Sequence, residues 1–221
     1  MLGLVRSAQR KLRSGPAWLF IVCVVVWVGA AIEPLDFEAW LLEQMATVLC
    51  ALYLVWYWPR VVFSRSALFG LAALFCMHTL GTHWTYSQTP YDAFVQNLTG
   101  LSINELAGWD RNNYDRFVHY LWGLSLALPL KEALEQTHGL RSSTANALAL
   151  HIVIATSAVY ELIEWGAALL FGGDLGMQYL GTQGDMWDAQ SDIALAIVGW
   201  ITYYSGYKLR QYWARVVRRD R

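Results

Sequence analysis

Pairs of ionisable residues at helical spacing are the part of this sequence best suited to chemistry. Asp115 and His119 are four residues apart, and so are Asp188 and Asp192. Residues at this spacing share one face of an α-helix, so each pair would present two polar groups to the same place. Two further pairs, at spacings of five and three, belong to the same set: His78 with His83, and Glu161 with Glu164.

Histidine together with several carboxylates is a ligand set for a divalent cation. Zinc, manganese or iron would use both ligand types, whereas magnesium would be held by the carboxylates alone. A metal ion would also offset the repulsion among acids that lie close together. The residues predicted as metal ligands are His78, His83, Asp115, His119, Glu161, Asp188 and Asp192.

The same acids are candidates for acid–base catalysis. Without a metal, closely spaced carboxylates retain protons and could relay them, with His119 as a partner. Arg111 and Arg116 lie beside the first pair and could hold a phosphate or carboxylate of a substrate. The predicted catalytic residues are Asp115, His119, Glu161, Glu164, Asp185, Asp188 and Asp192.

Composition indicates the environment in which these groups lie. The chain has 221 residues, is 56% hydrophobic and only 15% charged, and its mean hydropathy is +0.31. A soluble domain of this size carries about 25% charged residues. The net charge of −1 gives no electrostatic basis for binding nucleic acid. Composition therefore predicts a membrane protein whose partner is the lipid bilayer.

Six apolar segments approach the length of about 20 residues that a membrane helix needs. We therefore predict an all-α, multi-pass helical bundle that forms a single domain over residues 1–221. The predicted spans are 16–33, 39–58, 67–84, 113–131, 146–171 and 187–207.

Basic residues indicate the orientation of these spans. They lie before the first span, between the second and third, between the fourth and fifth, and after the sixth. The other connections are acidic or neutral apart from Arg111. By the positive-inside rule both termini are cytoplasmic, and the four ionisable pairs then lie in the outer leaflet.

The first span has an alternative interpretation. Its basic start and apolar run resemble a signal peptide, and residues 28–30 could serve as a cleavage site. Cleavage would leave five spans and an external N-terminus. We favour an uncleaved helix.

Two connections could lie over the polar site. Residues 85–112 are long for a structureless loop and predict a short interfacial helix that could act as a lid. The glycine-rich residues 172–184 could approach the site closely or form a solvated linker.

Four segments around the ionisable residues resemble the YjdF-like family of bacterial inner-membrane proteins. They are His83 to Ser87, Asn113 to His119, Glu161 to Trp165 and Gly181 to Asp192. The resemblance runs over most of the chain and implies a location in the bacterial inner membrane. This family is a domain of unknown function, so the resemblance implies no particular activity.

The chain is more distantly similar to VanZ-like membrane proteins, which are associated with glycopeptide resistance. Asp115, Arg116 and His119 match that family's Asp, basic residue and His. Glu164 and Asp192 stand where that family has amides, so the site here is more acidic.

Three classes of function stay open at this point. The favoured one is a metal-dependent hydrolase or transferase that acts at the outer leaflet on a lipid or lipid-linked headgroup. The second is a proton- or cation-coupled transporter, although six spans without an inverted repeat are not typical of one. The third is a non-enzymatic assembly or resistance factor with a structural polar core. Substrate and oligomeric state are not predicted.

Overall fold

The computed structural model describes residues 17–219, and their regular structure is entirely helical. The predicted all-α class is therefore confirmed. Nine α-helices lie within these residues, together with a 3₁₀ turn at Trp58–Arg60. The α-helices are α1 Ala17–Ala30, α2 Phe37–Tyr57, α3 Arg65–His83, α4 Tyr91–Thr99, α5 Ile103–Ala107, α6 Tyr114–His138, α7 Ser142–Phe171, α8 Gly173–Leu180 and α9 Asp188–Arg219.

Each of the six segments predicted to span the membrane coincides with one helix, namely α1, α2, α3, α6, α7 and α9. Within residues 17–219, two helical stretches are long and apolar enough to cross a bilayer, Phe37–Arg60 and Ser142–Phe171, while α1 is apolar but shorter. The basic residues near the N-terminus lie outside the described range. The structure thus supports a helical membrane protein, and the number of crossings stays a prediction.

Large apolar side chains point outward along the apolar helices. Phe20 and Val25 of α1 and Leu49 and Val55 of α2 are each more than 60% exposed. Soluble monomers rarely expose continuous apolar surfaces of this kind. Contact with lipid tails accounts for them, since side chains facing lipid need no protein partner.

Helix α6 lies at the centre of the bundle and packs against α3, α7 and α9. Its main apolar contact is a cluster of buried side chains from α6, α7 and α9. That cluster consists of Ala127, Val153, Ala196 and Trp200. Because α6 also carries Asp115 and His119, this packing fixes those residues relative to the neighbouring helices.

Helices α6 and α9 cross with almost no space between their backbones. A β-carbon on Gly199 would lie 2.0 Å from the carbonyl oxygen of Tyr120, a distance that no side chain tolerates. Small residues let membrane helices approach this closely. The crossing lies one turn beyond His119 and about two turns beyond Asp192, so it holds these two side chains opposite each other.

The two connections near the polar site contain helices. Residues 85–112 include α4 and α5, in agreement with the predicted helix there. The glycine-rich connection contains α8, a regular element that the sequence did not predict. Gly176 of α8 packs so closely on α7 that a β-carbon would lie 2.8 Å from the carbonyl oxygen of Ala168.

Candidate functional site

Carboxylates and a histidine converge where α6 and α9 begin and where α7 passes them. His119, Glu161 and Asp192 form one group whose potential ligand atoms all lie within 4.8 Å of one another. Asp115 and Asp188 form a second such group, again with Asp192. Asp192 thus belongs to both groups, and it is only 3% exposed.

A contact at the Nδ1 nitrogen fixes the orientation of the His119 ring. Its Nδ1 lies 3.2 Å from Oγ of Ser157, a fully buried residue one turn before Glu161 on α7. When Nδ1 donates to this hydroxyl, Nε2 carries a lone pair. Nε2 lies 3.1 Å from Oε1 of Glu161. A metal-binding histidine is oriented by a hydrogen bond of this kind from its other nitrogen.

Two carboxylate oxygens of the first group are buried without a hydrogen-bond donor among residues 17–219. They are Oε1 of Glu161 and Oδ1 of Asp192. The contact between His119 and Glu161 is close, but it is not a hydrogen bond, so Oε1 of Glu161 has no donor within residues 17–219. Buried acceptors without donors are costly and call for a proton or a cation.

Arg111 forms ion pairs with two of the three aspartates in the second group, Asp115 and Asp188. Its guanidinium lies 2.5 Å from Oδ2 of Asp115 and 2.5 Å from Oδ1 of Asp188. It also donates to the main-chain oxygens of Asn112 and Thr182, at 3.2 and 3.1 Å. Burial disfavours its charge, but the neighbouring aspartates outweigh this effect and raise the pKa of Arg111.

Arg116 binds the loop that precedes α9. It forms an ion pair with Asp185, lies 3.6 Å from Oδ1 of Asp188, and donates to Asn113 at 3.1 Å. The main-chain amide of Trp187, followed by Arg116, holds the pKa of the Asp185 carboxyl below its usual range. The Nε of Arg116 is buried and has no acceptor within the described part of the chain.

Glu164 lies one turn after Glu161 on α7 and interacts electrostatically with Glu161, Asp192 and Glu43. Glu43 of α2 is 5% exposed and accepts a hydrogen bond of 2.6 Å from the hydroxyl of Tyr160. Glu43 is therefore buried beside the site and is not a surface charge. The sequence signal for this burial is the position of Glu43 as the seventh residue of the apolar helix α2.

The two predicted histidine ligands of α3 have other neighbours. His78 lies 2.7 Å from Oγ1 of Thr47, contacts the Tyr86 hydroxyl, and interacts electrostatically with His119. His83 lies 3.1 Å from the main-chain oxygen of Ala30, at the end of α1. Neither belongs to the two groups of potential ligands found among the described residues. His78 therefore borders the site, whereas His83 joins α3 to α1.

The two connections, residues 85–112 and 172–184, also contact each other near the site. The side-chain amide of Gln183 exchanges hydrogen bonds with the main chain of Asn112, at 3.1 and 2.9 Å. Asn112 in turn donates to the main-chain oxygen of Thr89. The connection that contains α8 is thus joined to the connection that contains α4 and α5.

The site has an excess of negative charge. The site contains two guanidinium groups and six carboxyl groups. Among the described residues, three of these carboxyl groups form ion pairs with Arg111 or Arg116, and the other three form none with an arginine or lysine. The acids paired with an arginine are Asp115, Asp185 and Asp188, and the acids without such a pair are Glu161, Glu164 and Asp192. Acids held this close together require bound protons or a cation.

Comparison with known proteins agrees with this picture of a membrane protein. Residues 15–211 match a family described as "Predicted membrane protein (DUF2238)". The chain belongs to this family. It is also similar to the inner membrane protein YjdF of Escherichia coli (strain K12), with 32% identity over 188 residues, covering 83% of each chain. The resemblance seen in the sequence motifs is therefore confirmed.

These similarities also bear on location. The family is described as a membrane protein and the relative as an inner membrane protein, so the predicted location in a bacterial inner membrane is confirmed. No solved structure matches the chain. Neither the family's description nor the relative's name specifies a reaction or a ligand, so the function of this family member is inferred from its site.

Proposed function

We propose that the chain is a membrane-embedded, metal-dependent hydrolase or transferase that acts on the headgroup of a lipid or lipid-linked substrate. His119, Glu161 and Asp192 would hold the ion, which would be zinc, manganese, iron or magnesium. A bound divalent cation supplies a nucleophilic water or hydroxide near neutral pH and polarises a phosphoryl or carbonyl oxygen.

The proposal includes six membrane crossings with both termini in the cytoplasm. Helices α1, α2, α3, α6, α7 and α9 would cross, while α4, α5 and α8 would lie at the outer surface. The distribution of basic residues supports this orientation. The site would then open to the outer leaflet, at the depth where lipid headgroups lie.

The contact between His119 and Glu161 supports the metal most directly. Two ligands about 2.1 Å from one ion lie roughly 3.0–3.4 Å apart at octahedral or tetrahedral angles. Neither ligand points at the other, because both point at the ion. The 3.1 Å separation between Nε2 and Oε1, two atoms that form no hydrogen bond with each other, is within this range. A shared proton would instead favour a linear hydrogen bond.

The remaining groups suit substrate binding and proton transfer. Glu164 lies beside Glu161 and would act as the general acid or base. The unsatisfied Nε of Arg116 would donate to an anionic oxygen of the headgroup. Asp115, Asp185 and Asp188 would position the two arginines rather than touch the reacting atoms.

Metal content of the purified protein tests the proposal. We would purify the chain in detergent, strip it with a chelator, reload it with Mn²⁺ or Zn²⁺, and count ions by mass spectrometry. The parent should hold about one ion per chain, as expected for a single site. Asp192→Asn and His119→Gln should lose it, whereas the exposed-site controls Asp110→Asn and His151→Gln should keep it. Ser157→Ala should weaken binding roughly 10–100-fold, because it removes the partner that orients His119.

Activity should follow the metal. Phosphatidic acid, phosphatidylglycerol and a polyprenyl diphosphate in mixed micelles would each be incubated with the reloaded parent and with Asp192→Asn. Turnover of one class by the parent alone would support the proposed reaction. A well-folded parent that binds no ion after reloading would overturn the metal proposal, and ion flux in proteoliposomes lost in Glu161→Gln would then support transport.

A further inference from the structure

The two groups of potential ligands are adjacent and share one residue. Asp192 lies within 4.8 Å of His119 and Glu161 in one group and of Asp115 and Asp188 in the other. Two-metal sites have this arrangement, in which neighbouring ions lie about 3.5–4 Å apart between common ligands. The ligand pattern of this site is therefore that of two cation positions rather than one.

The two cation positions differ in whether a side chain of the protein already supplies a positive charge there. At the second position the guanidinium of Arg111 contacts Asp115 and Asp188 directly and interacts electrostatically with Asp192. At the first position no described arginine or lysine forms an ion pair with Glu161 or Asp192. One position thus has a cation supplied by the protein, and the other has buried oxygens without a donor.

The position of Arg111 is fixed by the loops around it. Its guanidinium also donates to the main-chain oxygens of Asn112 and Thr182, so its nitrogens have partners on both connections. Its side chain is 14% exposed. A guanidinium held on several sides in this way cannot leave the acids without breaking several charge-assisted hydrogen bonds. It is a permanent part of the site rather than a mobile surface charge.

We infer that Arg111 is the resident second cation of a two-cation centre, in which Asp192 lies between the guanidinium and the metal held by His119 and Glu161. The inference rests on the proposed metal site and extends it. It assigns Arg111 a role different from the substrate clamp expected from the sequence. A permanent guanidinium supplies positive charge beside the metal, so the centre would suit a phosphate monoester or diester that binds the metal next to this charge.

Removal of the guanidinium should open the second position to a metal ion. In Arg111→Gln the carboxylates of Asp115, Asp188 and Asp192 would remain without their cation, and a divalent ion should take its place. After reloading, the parent should hold one ion per chain and Arg111→Gln two. Arg111→Lys and the exposed-site control Arg65→Gln should hold one. The double variant Arg111→Gln with Asp188→Asn should return to one.

Guanidinium chloride provides an independent measurement on the same variant. A free guanidinium ion can enter the space left by the missing side chain, so it should displace the second ion and lower the count in Arg111→Gln from two to one. The parent's count should not change. If Arg111→Gln aggregates, either Mn²⁺ or guanidinium added during purification should restore a monodisperse protein, and failure of both would overturn the inference.

The outcomes separate this inference from the proposed function. One ion in both the parent and Arg111→Gln would overturn the inference and leave the proposed metal site intact, and two ions in the parent would also overturn it. No ion in the parent and one in Arg111→Gln, lost with Asp188→Asn, would support the second position and contradict the proposed metal site. No ion in either protein would overturn both.

Discussion

A β-carbon on Gly123 of α6 would lie 1.8 Å from the carbonyl oxygen of Ala196 on α9. The positions of the β-carbon and of the carbonyl oxygen are both fixed by the backbone, so no rotamer change could relieve this overlap. A larger residue at position 123 must therefore push the two helices apart. Gly123→Ala should therefore separate His119 from Asp192 and cost about 3 kcal/mol or more of stability. The yield of monodisperse protein and its thermal unfolding in detergent would measure the effect.

Gly166→Ala is the matched control for this substitution. Gly166 lies inside α7, and a β-carbon there would meet nothing within 4 Å. Alanine has the higher helix propensity, so this variant should be as stable as the parent or more stable by up to ~1 kcal/mol. Equal behaviour of the two glycine variants would show that α6 and α9 do not cross as described.

Asp92 organises the segment that contains α4 and α5. Its Oδ1 accepts from the main-chain amides of Ile103 and Asn104, and its Oδ2 accepts from the hydroxyl of Ser102. Asp92→Ala removes all three bonds and should loosen the start of α5. The amides of Ile103 and Asn104 should then exchange with deuterium several-fold faster.

The exposed residue Asn97 on α4 provides the control for Asp92. Asn97→Ala should leave exchange at Ile103 and Asn104 unchanged. Protection that persists in Asp92→Ala would mean that α5 does not depend on this carboxylate.

Asp185 should make stability depend on pH. The amide of Trp187 and the guanidinium of Arg116 lower its folded-state pKa, so its contribution is present above the unfolded value of about 3.9 and is lost as pH falls through the folded pKa. Asp185→Asn keeps an acceptor for Trp187 but removes the charge. Its melting temperature should lie below that of the parent at pH 7, and the gap should narrow toward pH 3.

The exposed-site variant Asp110→Asn controls for the general effect of acid on this comparison. Its melting temperature should follow that of the parent at every pH. A gap between Asp185→Asn and the parent that stays constant from pH 7 to pH 3 would contradict the charge interaction with Arg116.

A thiol contact tests whether the first helix is retained. Cys23 of α1 and Cys76 of α3 are close enough for their thiols to interact electrostatically, and all three cysteines are free. A membrane-permeant two-electron oxidant should therefore link Cys23 to Cys76 and lower the intact mass by two hydrogen atoms, in the parent and in Cys50→Ser but not in Cys76→Ser. Protein that begins beyond Ala30, or no link in the parent, would contradict the packing of α1 on α3.

Helical spacing was sufficient to predict which ionisable side chains share a face. The interval of four residues placed Asp188 and Asp192 on one side of α9, and the structure has both in one group with Asp115. The apolar runs likewise predicted the helices, because membrane helices need long apolar segments. Features that depend on a single helix were therefore accessible from the sequence.

Features that depend on tertiary contacts were not accessible. Arg111 lies in a connection whose path is determined by hydrogen bonds to residues more than 70 positions away, such as Thr182. Its carboxylate partners could not be assigned from spacing. Gly123 and Gly199 were two glycines among 17, and only the crossing of α6 and α9 distinguishes them. The glycine-rich connection contains a helix in which Gly176 packs against the backbone of α7, and this contact between two elements could not be predicted from spacing.

Anomalous diffraction from crystals of the Mn²⁺- or Zn²⁺-loaded protein would test the central claim most directly. We predict one anomalous peak, about 2.0–2.2 Å from Nε2 of His119 and from carboxylate oxygens of Glu161 and Asp192. A peak held by Asp115 and Asp188 without His119, or no peak near these residues in a protein saturated with metal, would contradict the account.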